Sequence, residues 1–172
     1  MNVPEKLINF RAYLDGDDLI GVTDITLPSL EPMTETVKGA GVAGEIDNPV
    51  LGHYGSMEVQ LNWRTLYKKP LALAAPKGLT LDLRGANQIW DSSAGAFVTQ
   101  AVKVVVQGVP KGIELGKLDV GTTSDTSTTL ECNYIKVTVA GSTLLELDKY
   151  NYICKINGTD YLSSVRTALG LS

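Results

Sequence analysis

The sequence predicts a mainly β fold in which several long strands bend into a sandwich or small barrel. Three observations carry that expectation. Apolar and polar residues alternate with period two along most of the chain. The alternating runs are broken by Gly, Asp and Asn, residues that suit hairpin turns. Phe and Trp number only two each among 172 residues, so the core falls to Val, Leu and Ile, which favour strands.

Leu7 to Leu14 forms the first expected strand, closed by an Asp15-Gly16 turn. Leu19 to Leu30 is the next, with Ile25 and Leu27 on one face and Asp24 and Thr26 on the other. Ser56 to Arg64 alternates most strictly. Met57, Val59, Leu61 and Trp63 interleave with Ser56, Glu58, Gln60 and Asn62, the pattern of a strand with one face on a core and one in water. Thr65 to Ala75 is the helix candidate, closed by Pro76-Lys77-Gly78. Pro70 inside it either moves the helix start to about Lys69 or kinks it.

Leu79 to Trp90 and Phe97 to Pro110 are two long strands joined by the polar turn Asp91 to Gly95. Val102-Lys103-Val104-Val105-Val106 is too β-branched for an easy helix. A hairpin arm, Ile113 to Asp119, and the Thr/Ser-rich stretch Gly121 to Thr129 lead into a strand over Leu130 to Val139. Short strands follow at Leu144 to Asp148 and Tyr152 to Ile156, then the Asn157-Gly158 turn and a short helix over Tyr161 to Ala168. Lys38 to Gly55 stands apart. Its glycines and Pro49 predict an irregular loop belonging to no sheet.

The composition is that of one globular domain spanning 1–172, with 44% hydrophobic and 20% charged residues. The net charge of −4 and the pI near 5.0 lack the basic footprint of a nucleic-acid binder. No signal peptide and no apolar run of the ~20 residues needed to cross a bilayer is visible, so a soluble chain without a membrane anchor is expected. Cys132 and Cys154 have no metal-like spacing and are read as buried thiols.

Catalytic chemistry finds little support. Gly39-Ala40-Gly41-Val42-Ala43-Gly44 fits GxGxxG, but no apolar strand precedes it, no helix opens from it, and no βαβ alternation exists. His53 is the sole histidine, too few for a zinc site or a Ser-His-Asp triad. The acid pairs Asp17/Asp18, Glu45/Asp47 and Glu146/Asp148 sit at turns or a strand end, where carboxylates are solvated. Asn157-Gly158-Thr159 is a turn before it is a glycosylation site. No enzyme activity, cofactor or metal is expected. A monomeric binding module such as a lectin would group aromatics on loops, and Trp90 alone makes no such platform.

An ordered set of short motifs does carry a resemblance. It opens with Leu14-Asp15-Gly16, Gly21-Val22, Ile25 to Leu30 and Gly39-Ala40-Gly41. It continues with Tyr134-Ile135-Lys136-Val137, Gly141, Leu145 to Asp148, Asn151 and Ile153. It closes with Ile156 to Asp160, Leu162, Arg166 and Leu169-Gly170-Leu171. In order and spacing this set resembles the major tail tube proteins of contractile-tailed phages and R-type bacteriocins.

The resemblance implies two packed antiparallel sheets close to a small barrel, with one flanking helix and a short C-terminal helix. It implies a structural subunit that forms hexameric rings stacked into a tube inside a contractile sheath. The implied partners are further copies of the chain, the sheath protein, a tape-measure protein, and baseplate tube-initiator and tail-terminator proteins. DNA would be a transient cargo only. The particle would assemble in the bacterial cytoplasm and leave by lysis. A tube of a secretion or extracellular injection system is the alternative.

Two surfaces are expected within that frame. Asp24, Thr26, Glu58, Gln60, Asn62, Lys103, Gln107, Glu131 and Asn133 fall on polar strand faces and would line the channel. Ile25, Val59, Leu61, Trp63 and Leu130 would face the core. Three acids and one lysine make this lining −2 per subunit, hence about −12 for six copies. In the Lys38 to Gly55 stretch, Val42, Ile46, Val50 and Leu51 would be buried by a neighbouring ring, with Glu45 and Asp47 at the rim.

Overall fold

Three of the tight turns share one geometry, and they set the hairpins of the fold. Asp15-Gly16, Ala140-Gly141 and Asn157-Gly158 each place two successive residues at positive φ, the conformation that matches strand twist in a two-residue hairpin. The computed structural model describes residues 1–171. Its strands are β1 (Asn2–Leu14), β2 (Asp17–Asp18), β3 (Val22–Thr26), β4 (Pro32–Lys38), β5 (Glu45–Tyr54) and β6 (Glu58–Trp63). After helix α1 (Lys68–Ala72) come β7 (Leu79–Asp91), β8 (Ala96–Glu114), β9 (Thr126–Val139), β10 (Ser142–Asp148), β11 (Ile153–Ile156) and β12 (Thr159–Asp160), then helix α2 (Ser163–Ala168).

The chain is mainly β with two antiparallel sheets and two short helices. Ten strands form one sheet in the order β12-β11-β10-β9-β8-β7-β1-β2, with β6 joined to β9 and β3 to β6. β4 and β5 form the second sheet, a hairpin. No closed barrel forms. No helix among the described residues is long and apolar enough to cross a membrane.

Strand alternation builds the core. Met57, Val59, Leu61 and Trp63 from the β6 segment are buried, as are Leu79, Leu81 and Leu83 of β7, Val104 and Val106 of β8, and Leu130, Cys132 and Ile135 of β9. Trp63 donates its indole N–H to the Thr128 hydroxyl at 3.2 Å, so the one polar atom of that ring is satisfied inside the core. The helix over Thr65 to Ala75 contracts to α1. Pro70 sits in its first turn, where a missing N–H costs nothing. Leu73 and Leu162, flanking the two helices, complete the core. Both cysteines are buried and free, and burial pushes the Cys132 thiol up to about 11.

The structure corrects the expectation for Lys38 to Gly55. Glu45 to Tyr54 is strand, paired antiparallel with Pro32 to Lys38. Glycine misled because Gly39, Gly41 and Gly44 are confined to the turn, all at positive φ, while Pro49 lies on an unshared strand edge. Gly52 (φ 66) marks the irregularity near the hairpin base, where a side chain would strike Leu162. Other boundaries move by a few residues. The first strand starts at Asn2, β8 runs on to Glu114, and Leu19 to Leu30 yields only the five residues of β3.

β9 switches partners through a bulge. β8 accompanies its whole length, while β6 pairs with Thr126 to Glu131 and β10 with Tyr134 to Val139. At the switch Gly108 opposes Cys132 with a register shift, and a Cβ on Gly108 would lie 2.1 Å from the Glu131 carbonyl oxygen. Gly112 on the same strand has open space. Gly108→Ala should therefore sharply lower the urea midpoint of unfolding, whereas Gly112→Ala should stay within about 0.5 kcal/mol of the parent.

Candidate functional site

β3, β6, β9 and β8 turn their non-core sides to one polar face. Register puts Asp24 beside Asn62, Thr26 beside Gln60, and Glu58 beside Glu131. Asn62 donates to Asp24 Oδ2 at 2.7 Å, and Gln60 donates to Asn62 Oδ1 at 3.4 Å. Lys103 and Gln107 of β8 point the same way, since Val104 and Val106 between them are buried. Eight of the nine residues expected on this surface are thus brought together. The ninth, Asn133, lies at the β9 bulge, outside both ladders, and is half-buried like Glu131 two residues before it.

Two like charges directly opposed, as Glu58 and Glu131 are, would destabilise the pair. Lys111 resolves this by bonding to Glu58 and standing 3.5 Å from Glu131. Burial pulls the Glu131 carboxyl up, but bonds from the Ser56 hydroxyl (2.6 Å) and the Met57 amide (3.2 Å), with Lys111, hold it below its ordinary value. Further along the face, Asp82 is shared by Arg84 at 2.8 Å and Lys103 at 3.3 Å. Hydrogen bonding from Arg84 holds the Asp82 carboxyl low.

Sequence reasoning missed Lys111, Asp82 and Arg84. Ending the strand at Pro110 excluded Lys111, although β8 continues past it. Asp82 and Arg84 alternate with buried Leu81 and Leu83, so the same period-two signal could have found them. With all three, four acids face three bases, a balance of −1 per subunit in place of −2.

The β4–β5 hairpin is the second surface, and both of its faces are exposed. Val37 opposes Ile46, alternation places Met33 and Val50 on that side, and the cross-strand partners Glu35 and Asn48 lie between these apolar groups. The other side carries Thr36 bonded to Asp47 (2.6 Å) and Lys38 near Glu45 (3.6 Å). Val42 is half-buried in the turn, its amide bonded to the Gly39 carbonyl at 3.1 Å. Leu51 alternates with Ile46 and Val50 and falls on the polar side. His53 lies in β5 and is exposed. The GxGxxG residues form the hairpin turn, and a strand follows them. Trp90 packs edge-on to Phe97 at 5.0 Å, strand against strand.

The Lys111 bridge gives a pH prediction. A carboxyl held low in the folded state contributes stability above its unfolded value of about 4.3 and loses it as pH falls through the folded value. Lys111→Met should raise the Glu131 titration point read by carboxyl-carbon NMR. It should also lower Tm by a few degrees at neutral pH and flatten the decline in stability below pH ~4.

The family described as Phage tail tube protein FII matches residues 4–170. The tail tube protein of Escherichia phage P2 is 30% identical over 181 residues, covering 99% of this chain and all of that protein. The major tail tube protein of Serratia phage KSP20 is 25% identical over 173 residues, covering 99% of each chain. A solved cryo-EM structure, the sheath/tube terminator of the extracellular contractile injection system PVC in its extended state, has a similar fold. It aligns with a TM-score of 0.53 at 13% identity over 78% of this chain and 96% of that one. A match that runs from end to end of a strand-built, polar-faced subunit places the chain in the phage tail tube protein family, as a structural subunit of a tube.

Proposed function

We propose that six copies close into a ring and that rings stack into the inner tube of a contractile phage tail or phage-tail-like bacteriocin. Sheath contraction then drives the tube through the target envelope. The subunit performs no catalysis. Its partners are other copies, the surrounding sheath, a tape-measure protein in the lumen, and the baseplate tube-initiator and tail-terminator at the ends. Assembly takes place in the bacterial cytoplasm and release follows lysis.

The observation that carries this reading is the β4–β5 hairpin, which leaves both faces in water within the single chain. An isolated two-stranded ribbon is marginally stable, and ordering each backbone residue costs about 1–2 kcal/mol. Contact with a neighbouring ring offsets that cost on assembly. A head-to-tail contact of this kind does not close on itself and propagates as a filament.

The polar face of β3, β6, β9 and β8 lines the channel in this arrangement. Its balance of −1 gives roughly −6 per ring, facing DNA that carries one negative charge per ~1.7 Å of axis. A lining with alternating fixed charges and a small negative surplus gives passing DNA no place to bind. Its many amides and hydroxyls keep the wall wet.

Electron microscopy of the purified protein should show rings or tubes without ligand, and a strict monomer at high concentration would overturn the reading. Replacing residues 34 to 51 with a short Gly/Ser linker should leave a folded subunit that closes rings but gives few long tubes. Normal tubes from that variant would mean the hairpin is dispensable for stacking. An unfolded subunit would mean that it serves its own core.

A further inference from the structure

The ten-stranded sheet curls without closing, and its open seam is an apolar groove of about 420 Å³. Leu7 and Phe10 of β1 with Val102 of β8 form one wall, and Ile25 and Leu27 on the β3 side form the other. Leu7 and Leu27 are each 50% exposed, so the groove opens to water. An apolar cavity of roughly 150 Å³ holds one benzene ring. This groove has room for several aliphatic side chains. A contiguous apolar surface of this kind marks a contact site.

The same chain carries a matching surface. Val37 and Ile46, cross-strand partners on the hairpin, are 41% and 49% exposed and touch no core element. We propose that the apolar face of the β4–β5 hairpin of one copy seats in this groove on a copy in the neighbouring ring. The proposal rests on the reading above that the hairpin contacts a neighbouring ring, and adds where it lands.

Charge supports the pairing. Arg84 lines the groove and shares a single carboxylate, Asp82, with Lys103, which leaves a positive surplus at that rim. On its docking side the hairpin carries one charge, the acid Glu35, cross-strand from Asn48. Asp24, on the opposite rim, is held by the Asn62 amide at 2.7 Å and turned toward the polar face. Beside the groove, β1 has no strand on its outer side before Tyr13, and it carries Pro4 and two register shifts, between Pro4 and Lys6 and between Leu7 and Asn9. Bulges of this sort spoil an added backbone ladder. The hairpin therefore docks through its side chains and adds no strand.

Another apolar segment competes for the same groove. Leu118 and Val120, in the turn between β8 and β9, are 92% and 100% exposed. With Leu115 they make three exposed apolar residues on an irregular segment, whereas the hairpin sets Val37 and Ile46 side by side on paired strands.

Cysteine cross-linking between co-assembled variants tests the assignment, and the buried native Cys132 and Cys154 leave the background low. Ile46→Cys and Leu27→Cys subunits, each checked by circular dichroism and tube formation, are mixed in equal amounts, assembled, oxidised with copper phenanthroline and run on a non-reducing gel. The expected result is a dimer band from the mixed tubes several times stronger than from either variant alone, and absent before assembly. If Ile46→Cys does not assemble, Val37→Cys takes its place. Normal tubes with no dimer from either hairpin cysteine would overturn the proposal. So would a dimer from Val120→Cys with Leu27→Cys but not from the hairpin pair. Failure of the parent protein to form rings or tubes would instead overturn the assembly reading on which the proposal stands.

Discussion

The fold depends on a single fourteen-residue strand having more than one neighbour. β9 keeps β8 on one edge throughout, while the other edge is shared in sequence by β6 and β10. Two hairpin systems that would otherwise be separate sheets are thereby forced onto one curved surface. The exchange is possible only because backbone approaches backbone at Gly108 and the ladder yields one residue, Asn133, to the bulge. Curvature follows from that bulge. The wet face and the dry face of the molecule follow from the curvature.

The wet face is stable because its charges are arranged as shared partners. Lys111 serves Glu58 and Glu131, and Asp82 serves Arg84 and Lys103. Each arrangement places a charge of one sign between two of the other, which reduces local field without burying any ion. Exposed pairs of this kind contribute little to stability singly. Their importance here lies in the surface potential they set. The hairpin follows the opposite principle. Its apolar stripe is unshared within the chain, and its energetics belong to whatever covers it.

Most of the architecture was legible because period-two alternation survives wherever a strand has one face on the core. Ser56 to Trp63 is the clearest instance, with every alternate residue from Met57 buried. Legibility failed where that condition failed. The β5 strand buries almost nothing, so it carries no alternation to detect, and its glycines and proline read as loop. The bulge at Asn133 was not legible, because it is set by a backbone contact between strands distant in sequence, which no local pattern records. The three missed charges were within reach of the alternation rule, and one was lost to a strand boundary drawn at Pro110. The groove was invisible from sequence, because it arises where strands far apart in the chain nearly meet.

The burial of both thiols has a consequence for a subunit of a tube. Disulfide exchange and peroxide oxidation proceed through the thiolate. With its pKa near 11, Cys132 is ionised in roughly one molecule in ten thousand at neutral pH. Burial likewise raises the Cys154 value. Neither sulfur offers a nucleophile at the surface, and the chain has no others. A tube built from such subunits gains no disulfide through these two buried cysteines. Such thiols respond little to whether the surrounding medium is reducing or oxidising.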